Sequence, residues 1–417
     1  MKLHILNVVA APRSTYKFLL ALGVLLVLAA CGGGGGSSTE TPEFGPGELV
    51  SSVSVANYTG QFLESIVAQA LALGVTEARA QYEVDVYAVR YATSDTAGNT
   101  VQASGLVAVP RKEPGQTSPI LSWQHGTIFL DSEAPSGDPF YYAVAAVLAT
   151  QGYIVLMPDY LGYQVSGQIL HPYVHADSLA AATVDLIRAS QELLTDKSVS
   201  SNDELFLAGY SEGGYATLAA QRLLEQELAA EYPVTASIPA AGPYDLSTTA
   251  AALLAEPVLT EPTYVAFVFK AYDTVYDLAR INALFQPQYV DVVDAGFDGS
   301  MSGDALDAAL TNITAELFNP IFLAEFNGDG ETELKAILAE NDVYDWAPSA
   351  PTRLFHGAND TVVPYLNADN AAAAMGQNGA TDVAAVPCYE GDADHGDCFI
   401  PSINYMLGFF ASFASNL

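Results

Sequence analysis

Between residues 120 and 239 the chain alternates short apolar runs with longer stretches of helical spacing. Ile120-Leu121-Ser122-Trp123-Gln124, Tyr153-Ile154-Val155-Leu156-Met157 and residues 204–208 and 235–239 read as strands. Residues 141–150, 176–194 and 215–229 read as helices. Such alternation implies a mostly parallel sheet with helices on both faces, an α/β architecture. The rhythm stops near Asp245 and resumes at Thr352-Arg353-Leu354-Phe355-His356, with a helix near Ala371, a strand over 383–386 and a helix over 400–413. The stretch between is rich in Ala, Leu, Phe and Tyr with helical spacing. A structureless loop of about a hundred residues does not fit inside a compact domain, so a helical insertion over the sheet is expected. Upstream, residues 82–91 and 101–109 flank Asp95-Thr96-Ala97-Gly98-Asn99 and predict a hairpin, and residues 54–74 have helical spacing. The expected organisation is a core over 51–245, a cap over 246–345 and the rest of the core over 346–417.

Inside this alternation lies Gly209-Tyr210-Ser211-Glu212-Gly213, followed by Gly214. A strand is predicted before it and a helix after it. Small residues two before and two after a serine let the backbone make a tight strand-to-helix turn that exposes the hydroxyl. A hydroxyl attacks only when a base takes its proton, so a base and an acid to orient it must lie elsewhere in the chain.

Four runs carry a resemblance: Trp123-Gln124-His125-Gly126-Thr127, Pro158-Asp159-Tyr160-Leu161-Gly162, Gly209-Tyr210-Ser211-Glu212-Gly213-Gly214, and His356-Gly357-Ala358-Asn359-Asp360-Thr361-Val362-Val363-Pro364. Together they resemble the secreted lipase and esterase branch of the α/β-hydrolase superfamily, nearest the fungal secretory-lipase-like group. The likeness covers about residues 80 to 417, with the insertion poorly matched. It implies an α/β-hydrolase fold with a cap, carboxylic-ester hydrolysis and no cofactor or metal. It also implies the chain order nucleophile, acid, histidine. Ser211 is then the nucleophile and Asp360 the acid. Of His4, His125, His171, His175, His356 and His395, only His395 follows Asp360, in the polar loop Gly391-Asp392-Ala393-Asp394-His395-Gly396. Asp392, Asp394 and Asp397 are rival acids, close to His395 in sequence. The backbone N–H groups of Thr127 and Glu212 are the implied oxyanion donors. His356, His171 and His175 read as structural or pocket-lining, and Asp159 either braces the catalytic loops or is a plain turn residue.

The substrate expected is a small-molecule or lipid ester such as an acylglycerol. Aromatics of the insertion (Tyr264, Phe267, Phe269, Tyr272, Tyr276, Phe285, Tyr289, Phe318, Phe322 and Phe326) pack its core singly and collectively suit an apolar acyl chain. Two other readings stay open. The Gly213-Gly214 pair also suits a serine peptidase of this fold, and a silent surface-binding protein on the same scaffold would need no complete Ser, Asp and His set.

The termini and charge bound the surroundings. Lys2, Arg13 and Lys17 flank a 13-residue apolar run, 18–30, too short to span a bilayer and suited to a signal peptide over 1–30. It ends Leu28-Ala29-Ala30-Cys31, which resembles a bacterial lipobox with Cys31 as the lipidated residue, and residues 31–50 read as a flexible tether. Export and lipid anchorage, with the outer membrane implied by Gly32 after the cysteine, are the expectation. Lys and Arg number 14 against 48 Asp and Glu, a net charge of −34 that repels polyphosphates and excludes nucleic acid as partner. Cys388 and Cys398 bracket His395 as an even pair in an oxidising compartment, predicting a disulfide; with His395 and an Asp they offer zinc as the competing reading.

Overall fold

The computed structural model describes residues 44–388 and 393–417. The expected signal peptide, lipidated Cys31 and most of the tether lie outside the described residues, as do His4 and Asp392.

The strands are β1 (Leu49–Tyr58), β2 (Val84–Ser94), β3 (Thr100–Pro110), β4 (Thr117–Gln124), β5 (Ile154–Pro158), β6 (Ser200–Tyr210), β7 (Val234–Ala240), β8 (Thr352–Gly357) and β9 (Val383–Cys388). They form one sheet in the order β1-β2-β3-β5-β4-β6-β7-β8-β9. The pairs from β5 to β9 are parallel, and β1, β2 and β3 add an antiparallel edge. The core helices are α1 (Gly60–Ala72), α2 (Pro139–Ala149), α3 (Ala176–Asp196) and α4 (Glu212–Glu227). Successive residues of a strand face opposite sides. Phe206 and Ala208 therefore join Val155 and Met157 under α2, while Leu205 and Leu207 join Ile154 and Leu156 under α3 and α4.

The insertion is helical: α5 (Leu246–Ala255), α6 (Pro262–Val275), α7 (Ile281–Leu284), α8 (Pro287–Ala295), α9 (Gly303–Ala309), α10 (Thr314–Leu317), α11 (Pro320–Phe326) and α12 (Thr332–Glu340). The chain closes with α13 (Leu366–Gln377) and α14 (Phe399–Phe410). Residues of α5, α6 and α12 share a continuous apolar core with Tyr215 and Leu218 of α4, so the cap is fused to the helical layer beneath it. The Tyr215 hydroxyl donates to Asn341 O across that boundary at 2.6 Å.

One stretch differs from the sequence reading. Residues 54–58 belong to β1, and the helix starts only at Gly60; Leu49 and Val50 are likewise strand, not tether. The run Leu49-Val50-Ser51-Ser52-Val53-Ser54-Val55 is rich in β-branched and small polar residues that favour an edge strand. Its antiparallel partner, β2, supplies the hydrogen bonds that local spacing cannot reveal.

Candidate active site

The parallel strands end on one side of the sheet, where open α/β sheets bind ligands, and the loops that follow β4, β6, β8 and β9 there carry Thr127, Ser211, Asp360 and His395. Ser211 joins β6 to α4 with φ +61° and ψ −122°, a left-handed turn held by its N–H bonding Ala240 O at 2.9 Å. Side chains are excluded on either side. A Cβ on Gly213 would lie 2.1 Å from Gln124 O. That contact is impossible, so glycine is required where β4 passes beneath the start of α4.

His395 reaches Ser211 from the loop after β9. Its Nε2 lies 2.9 Å from Ser211 Oγ, and its Nδ1 lies 2.6 Å from Asp360 Oδ2. The structure thus brings Ser211, His395 and Asp360 into one hydrogen-bonded chain. Asp360 is fully served: Oδ1 accepts the N–H groups of Val362 at 2.9 Å and Val363 at 2.8 Å. Burial disfavours its charge, but hydrogen bonds and charge from His356 and His395 outweigh burial and hold the carboxyl well below the usual carboxylate range. An ionised Asp360 requires a hydrogen on His395 Nδ1, which leaves Nε2 as the acceptor facing the serine hydroxyl.

His356 has more than a turn role. Its Nε2 lies 2.8 Å from Val363 O and 3.2 Å from Asp360 Oδ2, so it braces the acid through the same oxygen that His395 binds. The spacing of four residues was visible in the sequence; the convergence on one carboxylate oxygen was not.

The rival acids serve the loop. Asp394 Oδ1 accepts from Thr361 N and Oγ1, both at 3.2 Å, and from His395 N at 2.7 Å, tying the histidine loop to the Asp360 loop. Asp397 Oδ2 accepts from Asp394 N at 3.3 Å. The Tyr210 hydroxyl donates to His395 O. Cys388 and Cys398 are bridged, with Cα atoms 6.0 Å apart, and close the loop that carries His395. A bridged pair offers no thiolate to a metal.

Glu212 is the first residue of α4, so its N–H has no intrahelical acceptor and points out at the helix start beside Ser211. The loop 125–127 passes close by: a Cβ on Gly126 would lie 3.6 Å from Ser211 Cβ. Thr127 follows, its Oγ1 2.7 Å from the Tyr173 hydroxyl. The Tyr160 hydroxyl donates to His125 O at 3.0 Å and the Tyr163 hydroxyl to Ile128 O at 2.7 Å. Three tyrosines of the segment after β5 therefore pin this loop. His125 is buried, its ring tilted against Tyr160 at 4.2 Å between ring centres, and burial pushes its imidazole below the ordinary value. His175 caps α3 by accepting from Ser178 N at 3.3 Å.

Asp159 braces the loops. Its carboxylate accepts from Ser136 N at 2.7 Å and from Ser136 Oγ. Burial raises its pKa to about 6 against the hydrogen bonds that lower it. An acid raised in the folded state binds its proton more tightly there, so it stabilises the fold at low pH and loses that contribution as pH rises through about 6. Asp159→Asn is expected to remove this dependence. Relative to the variant, wild-type unfolding free energy should fall by about 2 kcal/mol between pH 4 and pH 8, measured by urea denaturation. A constant difference would show that the fold does not raise the Asp159 pKa.

Above Ser211 opens a cleft of ≈ 720 Å³, counting its open mouth. Leu246, Ala250 and Leu253 of α5, Val265, Val268 and Phe269 of α6, and Val362 and Val363 of the acid loop make its walls apolar. Of the cap aromatics, Tyr264 and Phe269 line the cleft. Phe285, Phe318 and Phe322 instead pack on one another in the cap core, with ring centres 5.0 Å and 5.7 Å apart.

The prolyl oligopeptidase family matches residues 139–255, which include Ser211 but neither Asp360 nor His395. No curated protein matches the chain. Among solved structures, a provisionally described hydrolase of Legionella pneumophila is similar at 28% identity and TM-score 0.81, over 88% of this chain and 98% of its own. The rice cell-wall-degrading esterase LipA of Xanthomonas oryzae is similar at 28% identity and TM-score 0.78, over 88% of this chain and 99% of its own. Lipase A of Candida antarctica, at 18% identity and TM-score 0.65 over 90% of this chain and 84% of its own, shares the fold.

Proposed function

We propose that this chain, a member of the α/β-hydrolase superfamily, is a serine carboxylic-ester hydrolase acting through an acyl-enzyme on acylglycerols or similar apolar esters. The observation that carries the reading is the Asp360–His395–Ser211 chain of hydrogen bonds at the floor of an apolar cleft. His395 Nε2 takes the Ser211 proton as Oγ attacks the ester carbonyl. The N–H groups of Thr127 and Glu212 receive the oxyanion, and His395 returns the proton to the departing alkoxide. Water, deprotonated by the same imidazole, then releases the acid. The walls of α5 and α6 exclude water and accept a hydrocarbon chain, at roughly 25 cal/mol per Å² of apolar surface buried. That the similar Xanthomonas protein is an esterase supports this reading. In the same proposal, acyl chains on Cys31 hold the exported enzyme at the bacterial envelope, within reach of lipid.

The family match over 139–255 favours one second reading, a serine peptidase. Rates on p-nitrophenyl esters of increasing acyl length, set beside matched p-nitroanilides, separate the two. The ester reading expects kcat/KM to rise as the acyl chain lengthens into the cleft, by about 1–3 kcal/mol in barrier for each well-buried pair of methylenes at first, and expects anilides to be far slower. Anilide cleavage that matches ester cleavage would hand the site to the peptidase reading.

A further inference from the structure

Glu212, the residue whose N–H faces the developing oxyanion, carries a carboxyl group that the mechanism above leaves unused. Its side chain is buried, the residue being 1% exposed. Oε1 lies 2.7 Å from His171 Nε2, while Oε2 has no hydrogen-bond partner among the described residues. A bare carboxylate there would stand one residue from the reacting oxygen and oppose the negative charge the site must gather.

The hydrogen bonds of His171 answer this. Its Nδ1 lies 2.6 Å from Leu161 O. A carbonyl can only accept, so Nδ1 carries a hydrogen. The contact between Nε2 and Oε1 is too short for two acceptors, so a proton lies in it as well. Either imidazolium faces carboxylate or neutral imidazole faces carboxylic acid. In both arrangements the pair has no net charge. The segment carrying His171 is held against Leu161 by backbone contact: Gly162 has φ +96°, and a Cβ there would sit 2.4 Å from His171 Cα. His171 is 2% exposed and packs its ring on Tyr163 and Phe267 at 4.8 Å and 5.8 Å between centres.

We propose that His171 is a positioning residue that neutralises Glu212, so that the start of α4 presents its N–H to the oxyanion without an opposing charge behind it. This rests on the serine-hydrolase reading above. The titratable groups facing the pair are His125, Tyr141, Tyr160, Tyr163, Tyr173 and Tyr264. Burial lowers the pKa of the histidine and raises those of all five tyrosines, so these groups stay uncharged near neutral pH and none can take over the neutralising role.

His171→Gln tests the proposal. The amide can still donate to Oε1 but brings no charge and no transferable proton. The carboxyl of Glu212 is then left without the charge or proton that balances it. The readout is the rate at which a fluorophosphonate probe labels Ser211, a reaction that needs the nucleophile and the oxyanion donors but no particular natural substrate. Each variant rate is divided by that of its parent protein under the same conditions. The ratio for His171→Gln is expected to be about 10- to 100-fold below one. The same substitution made in a Glu212→Gln background is expected to give a ratio, to that background, within about threefold of one. A His171→Asn variant, which keeps the donor to Leu161 O instead, should show the same loss and the same rescue by Glu212→Gln. No loss, or an equal loss with and without the Glu212 carboxyl, would reduce His171 to a packing residue and overturn the proposal. Failure of the wild-type chain to label would overturn the serine-hydrolase reading itself, and the proposal with it.

Discussion

Ser211→Ala is expected to lower kcat for p-nitrophenyl butyrate by about 10⁶-fold, to the residual catalysis that binding and oxyanion donors supply without a nucleophile. The expectation follows from geometry. Ser211 Oγ is the only reactive hydroxyl within hydrogen-bond reach of His395 Nε2 among the described residues. Water admitted into the space of the missing oxygen would meet His395 without the fixed attack angle. The fold should be undisturbed, since alanine keeps the Cβ that already accepts φ +61° at this turn, and the anchoring bond to Ala240 O comes from the backbone. Thermal melts of the two proteins should therefore coincide within a few degrees, while fluorophosphonate labelling disappears. Hydrolysis that survives the substitution unchanged would remove Ser211 from the chemistry and revive a non-catalytic role for the cleft.

Much of this site was legible because its members are local signals joined by chain order. The turn around Ser211 demands small residues at fixed offsets, and Gly213 shows the reason in its contact with Gln124 O. His395 stood alone downstream of Asp360. The parts that escaped depend on partners distant in sequence. β1 is an edge strand whose Val53 is 63% exposed, so its periodicity has no buried face to read, and only its pairing with β2 defines it. His171 and Glu212 are 41 residues apart with nothing local to link them. His356 lay beside Asp360 in the sequence, yet a histidine four residues from an acid is as often a turn residue as a brace. The cap aromatics could not be told apart for a different reason. A phenylalanine that packs cap helices together and one that lines a cleft have the same spacing, and the helix face that turns inward is set by tertiary packing.

Asp360→Asn is expected to cost about 10⁴-fold in kcat with little change in KM. Asparagine is isosteric but has one acceptor and one donor where the carboxylate has two acceptors. If its oxygen keeps the Val362 and Val363 N–H groups, its amide nitrogen faces His395 Nδ1 and His356 Nε2. His395 then keeps Nδ1 bare to accept and carries its hydrogen on Nε2, where it points at Ser211 and cannot take the hydroxyl proton. If the amide flips, its nitrogen meets two backbone N–H donors instead. Both arrangements leave buried groups mismatched, at about 1–3 kcal/mol in stability near neutral pH. The pH dependence has a defined sign. A carboxyl held below its ordinary value stabilises the fold at neutral pH and loses that contribution as the pH falls toward its folded value. The stability gap between wild type and Asp360→Asn, followed by thermal unfolding, should therefore narrow as the pH falls below about 4, while the activity gap remains wide at pH 7 to 8. Retention of activity within about tenfold would mean that the tautomer of His395 is set by another acid. Asp394, already bonded to the His395 N–H, would be the one to test next.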